Sequence, residues 1–320
     1  MQKTIREKMQ IRGQHIAPVY LDKTIPRLQI LCGSRAKPEM AIKVLQLTNV
    51  KHEDIIGGKN VGRVEIITGD YWSKLFPSAG KTRILVGKTE MGQGAVDITQ
   101  REYAYAAGGE PVIQIRAGTS GGMNTRNLDK PVMKLGDIVI ADKNIGRSGA
   151  LEQALGYFAK VVPDENSAKE LMLFLKEAEK YGITTAFGGR FYSNKNDQVV
   201  TDGLALSAKG LGFQYHIGAN FTKESLNAEG NEEMFLQLRE KENVLVSEME
   251  QLTNAFTAAY ARIRYGVRVL SGMIVESIGG IPGPGFPDRT DKAQMRQQEK
   301  VEGDTLVIAA EALVKIDKYS

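Results

Sequence analysis

Four short stretches end an apolar run with a side chain able to act on a ligand. In VIQIRAGTSGG, residues 112–122, Arg116 closes the run and Thr119 follows among small residues. A guanidinium at such a position needs a partner, because burying a lone charge is very costly. An internal carboxylate can supply it, as a structural salt bridge, or a bound anion can. Arginine grips phosphate through two parallel hydrogen bonds, and Thr119 with the N–H groups of a bare loop would complete the cage. In ILCGSRAKPEMA (30–41) a strand ends at Gly33, and Arg35 and Lys37 follow before a helical stretch. Free N–H groups and cations at a strand-to-helix turn favour an anion; a plain turn with solvated charges fits equally. In VLVSEMEQL (244–252) Glu248 and Glu250 flank Met249 where a strand gives way to a helix. A carboxylate can accept two hydrogen bonds from a vicinal diol, and a methionine can lie against a sugar or base face. Acids at a helix start are also favoured by the dipole alone. SGMIVES (271–277) leaves Glu276 at the end of an apolar run, where it is either a general acid kept protonated by its surroundings or an exposed strand end.

The elements that must position these groups alternate along the chain. Strand-like runs lie at 27–32, 62–68, 83–88, 111–116, 136–141, 213–218 and 266–275. Between them, Ala168, Leu171, Met172, Leu175 and Ala178 recur at helical spacing, as do Leu252, Ala255, Phe256, Ala259, Tyr260 and Ile263, and Leu306, Ala309, Ala310, Leu313 and Ile316. Such alternation predicts an α/β fold: a single-domain three-layer sandwich over residues 1–320, with a central mixed β-sheet flanked by helices. Residues 1–26 read as an N-terminal arm. Residues 187–212 and 279–290, rich in Gly, Asn, Ser or Pro, read as loops, the first as an insertion.

Composition narrows the function. The 42 basic and 38 acidic residues are spread along the chain without a basic stripe, which fits a small anion better than nucleic acid. One cysteine, Cys32, forbids an internal disulfide, and three scattered histidines give no metal-binding spacing. No signal-like or membrane-spanning run is present, so a soluble cytoplasmic protein without a membrane partner is expected. No G-x-G-x-x-G opens a helix and no P-loop occurs, which sets aside dinucleotide and nucleotide-hydrolysing readings.

In order, G-x-x-x-K, IRAGTSGG, LGDIVIA, SEMEQ and GVRVLSGMIV resemble the nucleoside phosphorylases of the hexameric purine and uridine type, over roughly residues 15 to 316. The resemblance implies phosphate-dependent cleavage of a nucleoside to free base and ribose 1-phosphate, with inorganic phosphate as co-substrate and neither cofactor nor metal. It assigns Arg116, Thr119, Gly33 and Lys37 to phosphate, Lys37 standing where the family turn carries arginine. Arg63 is the candidate for an arginine given to the phosphate by the neighbouring subunit, though it is displaced by about one residue. Glu250, Met249 and Glu248 fall on ribose-binding positions. His15, 18 positions before Gly33, matches a histidine that reaches the 5′-hydroxyl across a subunit interface. A homo-oligomer follows, at least a dimer, and a trimer of dimers on the family pattern. The base is to be met by Leu226, where relatives stack an aromatic ring, and by Glu276, where purine enzymes place an aspartate. TKESLNAEGNEEMF (222–235) lacks the G-Q-x-R of uridine phosphorylases, which tilts the expectation to purines. A uridine phosphorylase, a hydrolytic nucleosidase, a non-catalytic storage-type relative and an unrelated α/β enzyme are the alternatives.

Overall fold

A computed structural model of the chain describes residues 24–33, 36–54, 65–89, 91–127, 129–130, 132–148, 176, 178–180, 182–186, 191–223, 231–281 and 290–319. Eleven strands are formed among these residues: β1 Leu28–Cys32, β2 Thr48–Asp54, β3 Glu65–Trp72, β4 Lys81–Lys88, β5 Val112–Met123, β6 Ile138–Gly146, β7 Ile183–Ala186, β8 Phe191–Lys195, β9 His216–Thr222, β10 Val244–Glu248 and β11 Val269–Ile281. The helices are α1 Ala36–Val44, α2 Gln93–Tyr105, α3 Gln198–Gly210, α4 Glu232–Glu242, α5 Gln251–Tyr265 and α6 Lys292–Tyr319.

The strands run β2-β3-β4-β1-β5-β10-β9-β6-β8-β7, and β11 joins both β5 and β6. Neighbours β5, β10, β9, β6 and β11 therefore close into a ring, a small barrel inside the mixed sheet. Helices cover the rest. On one side α1, α3 and α6 bury Leu306, Ala309, Ala310 and Leu313 against Ile30, Val86, Ile113 and Ile115. On the other, Leu31, Leu85, Tyr103 and Ala106 form a second cluster, and Ala104 packs with Ala258 and Val269 in a third. With both faces covered, every residue of β1 is buried, Gln29 included. Gly266, at φ 64°, ends α5 in the left-handed conformation that favours glycine. Among the described residues no helix is long and apolar enough to cross a membrane.

The α/β class with a central sheet holds, and several local expectations change. The AGTSGG segment is not a bare loop: β5 continues through it to Met123, paired with β11 on one side and β10 on the other. The small residues are there because strands crowd; a Cβ on Gly122 would lie 2.5 Å from the Ser277 hydroxyl and 2.6 Å from the Met133 Cβ. Residues 187–212 are no loop insertion either, since they hold β8 and α3. The polar composition misleads because α3 buries one face, Val200, Thr201, Gly203, Leu204, Ser207 and Ala208, and exposes Gln198, Asp202 and Lys209. Glu276 is not at a strand end but inside β11, which runs on to Ile281, the residues after it in 279–290 lying largely outside the described set. The helical pattern proposed at 168–178 and residues 1–23 of the arm also lie outside the described residues.

Candidate active site

The site forms where β9 and β10 end together beside β5. Strand β10 pairs with β9 in parallel, setting Glu248 against Thr222, and with β5 antiparallel, setting Ser247 against Gly121. The chain then turns through Met249 and Glu250 and enters α5. The first N–H groups of a helix have no partner within it. Here Glu248 Oε2 accepts from the N–H groups of Glu250 (2.7 Å) and Gln251 (2.9 Å), and the Thr222 hydroxyl oxygen accepts from that of Leu252 (3.0 Å). Glu248 Oε1 accepts from Asn220 Nδ2 (2.8 Å) and from the Thr222 hydroxyl (2.7 Å). Glu248 is thus a positioning residue that clamps the strand-to-helix turn.

That clamp aims Glu250. Its Oε2 accepts from Arg116 Nη2 at 2.6 Å, and its Oε1 accepts from the N–H of Gly92 at 2.8 Å. Arg116 Nε also lies 3.5 Å from Glu248, and Nη1 donates to the Thr89 hydroxyl at 3.2 Å. The guanidinium that needed a partner therefore has internal carboxylates, and all three charged residues are no more than 5% exposed. They open on a cavity of about 290 Å³ whose wall includes Gly33, Arg116, Gly118, Thr119, Lys223, Glu248, Met249 and Glu250.

A phosphorylase superfamily model matches residues 28–302, most of the chain and every element of this cavity. The chain belongs to the phosphorylase superfamily. The resemblance to nucleoside phosphorylases read in the sequence is borne out by this match. Its fold is similar to a crystal structure of uridine phosphorylase from Vibrio fischeri complexed with 6-hydroxy-1-naphthoic acid, with a TM-score of 0.56 over 89% of this chain and 91% of that one, at 16% identity. Comparison with curated proteins finds no match.

In this superfamily member the structure brings Gly33, Arg116, Thr119, Glu248, Met249 and Glu250 together around one cavity. Lys37 lies in the first turn of α1, directly after the strand that ends beside Gly33. Glu276 is not in the cavity wall: it is fully buried within β11, registered against Thr119 on β5 and Ile138 on β6. His15, Arg63 and Leu226 lie outside the described residues.

Sequence reasoning missed Lys223, Met91, Ser247, Ile278, Gln298 and Glu302, which also line the wall. Lys223 was legible: the strand expected at 213–218 runs on to Thr222, so Lys223 stands at its C-terminal end beside Glu248.

Electrostatics separates the two acids. Burial, reinforced by the neighbouring charge of Glu250, pushes Glu248 up to about 7. Burial acts on Glu250 in the same direction, but the Arg116 charge and the Gly92 N–H outweigh it and hold this carboxyl below the usual range. Burial draws Lys223 below its ordinary value, against the attraction of Glu248. An ionised Glu250 beside a cation, held by a Glu248 able to keep its proton, is a ready acceptor for sugar hydroxyls.

Proposed function

We propose that the chain is a nucleoside phosphorylase, cleaving a ribonucleoside with inorganic phosphate to free base and ribose 1-phosphate, with purine nucleosides favoured. The observation that carries this is the pair of Arg116 and Glu250, 2.6 Å apart on the wall of one cavity. A cation suited to phosphate and a carboxylate suited to a ribose diol stand side by side on the wall of one cavity. Phosphate lies against Arg116, Thr119 and the backbone at Gly33, with Lys37 near. Glu250 accepts hydrogen bonds from the ribose hydroxyls and Met249 packs beneath the sugar. As the C1′–N bond breaks and its electron pair passes to the base, the sugar gains oxocarbenium character and a phosphate oxygen forms the new C1′–O bond. Positioning and fixed charge supply the rate enhancement, so neither metal nor cofactor enters.

His15 and Arg63 reach a neighbouring subunit's site in this reading, making a cytoplasmic homo-oligomer, at least a dimer and on the family pattern a hexamer, the working form. One observation favours hydrolysis as a second reading: Arg116 already has protein partners in Glu250 and Thr89, so its charge is balanced without phosphate. The test is base release from inosine, guanosine, adenosine and uridine, each with and without phosphate. Purine release that requires phosphate is expected. Release that ignores phosphate would establish the hydrolytic reading, and release from uridine alone would overturn the purine preference.

A further inference from the structure

Breaking the C1′–N bond leaves negative charge on the base, and a group in the cavity must meet it. The residue expected to do so, Glu276, does not line the cavity. Arg116, one of the two cations of the wall among the described residues, is engaged by Glu250, Glu248 and Thr89 on the phosphate and ribose side. The other cation is Lys223. Its backbone N–H donates to the Glu248 carbonyl at 2.8 Å, which fixes the end of β9 against β10. From there it shares the wall with Ile278 of β11 and with Gln298 and Glu302 of α6. Gln298 donates to Glu302 at 3.1 Å, so that pair brings hydrogen-bonding groups and no positive charge. With Gly33, Arg116 and Thr119 assigned to phosphate and Met249 and Glu250 to the sugar, the sector of Lys223, Ile278, Gln298 and Glu302 faces the base in this reading, and among the described residues it offers an apolar surface in Ile278 and one ammonium.

We infer that Lys223 is the catalytic acid of the reaction, donating a proton from its ammonium to the departing base. The step balances: the C1′–N electron pair moves into the ring, a ring nitrogen takes the Lys223 proton, phosphate takes C1′, and the neutral amine regains a proton from water once the base has left. Burial, which draws the Lys223 ammonium below its usual value, eases that transfer. The inference rests on the phosphorolysis proposed above.

The experiment compares Lys223→Met with the wild type on inosine and on 7-methylinosine, both with phosphate. The methylated ring already carries the positive charge, so its base departs without a proton. Losing a general acid typically costs 10²–10⁴-fold. Accordingly, Lys223→Met should lose about a hundredfold or more in kcat on inosine, and less than about tenfold on 7-methylinosine. Equal losses on both substrates would assign Lys223 to phosphate or to packing and overturn the inference, as would an unchanged rate on inosine. Lys223→Arg, which keeps the cation and the stem, is the second variant should the methionine protein fail to fold, and it should lose rate on inosine selectively because guanidinium gives up a proton far less readily. Wild-type protein that releases no base from either substrate with phosphate would refute the purine phosphorolysis on which the inference rests before any variant is made.

Discussion

Replacing Arg116 by methionine removes the cation while keeping much of the volume. In the folded protein it lies 2.6 Å from Glu250 and 3.5 Å from Glu248, with all three residues almost fully buried. Glu250 would be left with the N–H groups of Gly92 (2.8 Å) and Met249 (3.2 Å) as its remaining donors. Removing one partner of a buried pair costs about 3–5 kcal/mol, because the other charge stays buried. At roughly 2 °C per kcal/mol for a chain of this length, Tm should fall by about 6–10 °C. Glu250→Gln should cost less, since Glu248 remains as a counter-charge for Arg116. The double variant Arg116→Met, Glu250→Gln has no orphaned charge at that position and should be more stable than the sum of the single changes implies, by about 2–3 kcal/mol. Thermal and urea unfolding of the four proteins at pH 8, where Glu250 is ionised, measures the coupling. Additive single effects would mean that the pair is not closed in the folded protein and would refute the electrostatic account of the site.

Three further outcomes are expected. Glu248 is raised by burial from 4.5 to about 7, so the folded protein holds a proton that the unfolded chain releases, and stability must fall as pH rises between those values. From pH 5 to 8 the wild type should lose about 2–3 kcal/mol through this group while Glu248→Gln loses none of it; parallel urea midpoints for the two proteins would contradict the assignment. A Cβ on Gly146 would lie 2.1 Å from the Thr222 carbonyl oxygen, so Gly146→Ala must part β6 from β9 and disturb the Thr222 hydroxyl that holds Glu248. It should destabilise by about 1–3 kcal/mol and reduce kcat, and a variant matching the wild type in melting and turnover would rule out that contact. Glu311 of α6 accepts from the Tyr71 hydroxyl (2.7 Å), the Ser73 hydroxyl and the N–H of Lys74 (2.6 Å), none of which lines the cavity. Glu311→Ala should cost about 2–4 kcal/mol in urea unfolding and leave turnover of the folded enzyme unchanged; undiminished stability would show the cluster to be incidental.

Much of the fold was legible because apolar periodicity reports burial directly. The stripe Leu306, Ala309, Ala310, Leu313 and Ile316 lies on the inner face of α6, and Leu252, Ala255, Phe256 and Ala259 on that of α5. What composition concealed were segments where small residues serve packing. Gly203 in α3 sits so close to α6 that a Cβ would come within 3.0 Å of Ile316, and the glycines of β5 lie between two neighbouring strands. Glycine marked close approach there, and a sequence reading turns it into a loop. The site was legible as a set of residue types and much less so as a geometry. Arg116 and Glu250 are 134 positions apart, and nothing local to either stretch says that they meet. Glu276 looked like a terminal acid because the apolar run stops there, yet β11 extends to Ile281 on the strength of its pairing with β5 and not on side-chain pattern. Lys223 was overlooked for the converse reason, its strand having been ended four residues too early.

The central claim, that phosphate and ribose are held side by side at Arg116 and Glu250, is tested most directly by the fate of labelled phosphate. Incubating the wild-type enzyme with inosine and [32P]phosphate should place the label on the sugar, one ribose 1-phosphate for each hypoxanthine released, and Glu250→Gln should lose that transfer while remaining folded. Hypoxanthine released with free, unlabelled ribose, or undiminished label transfer in Glu250→Gln, would contradict it.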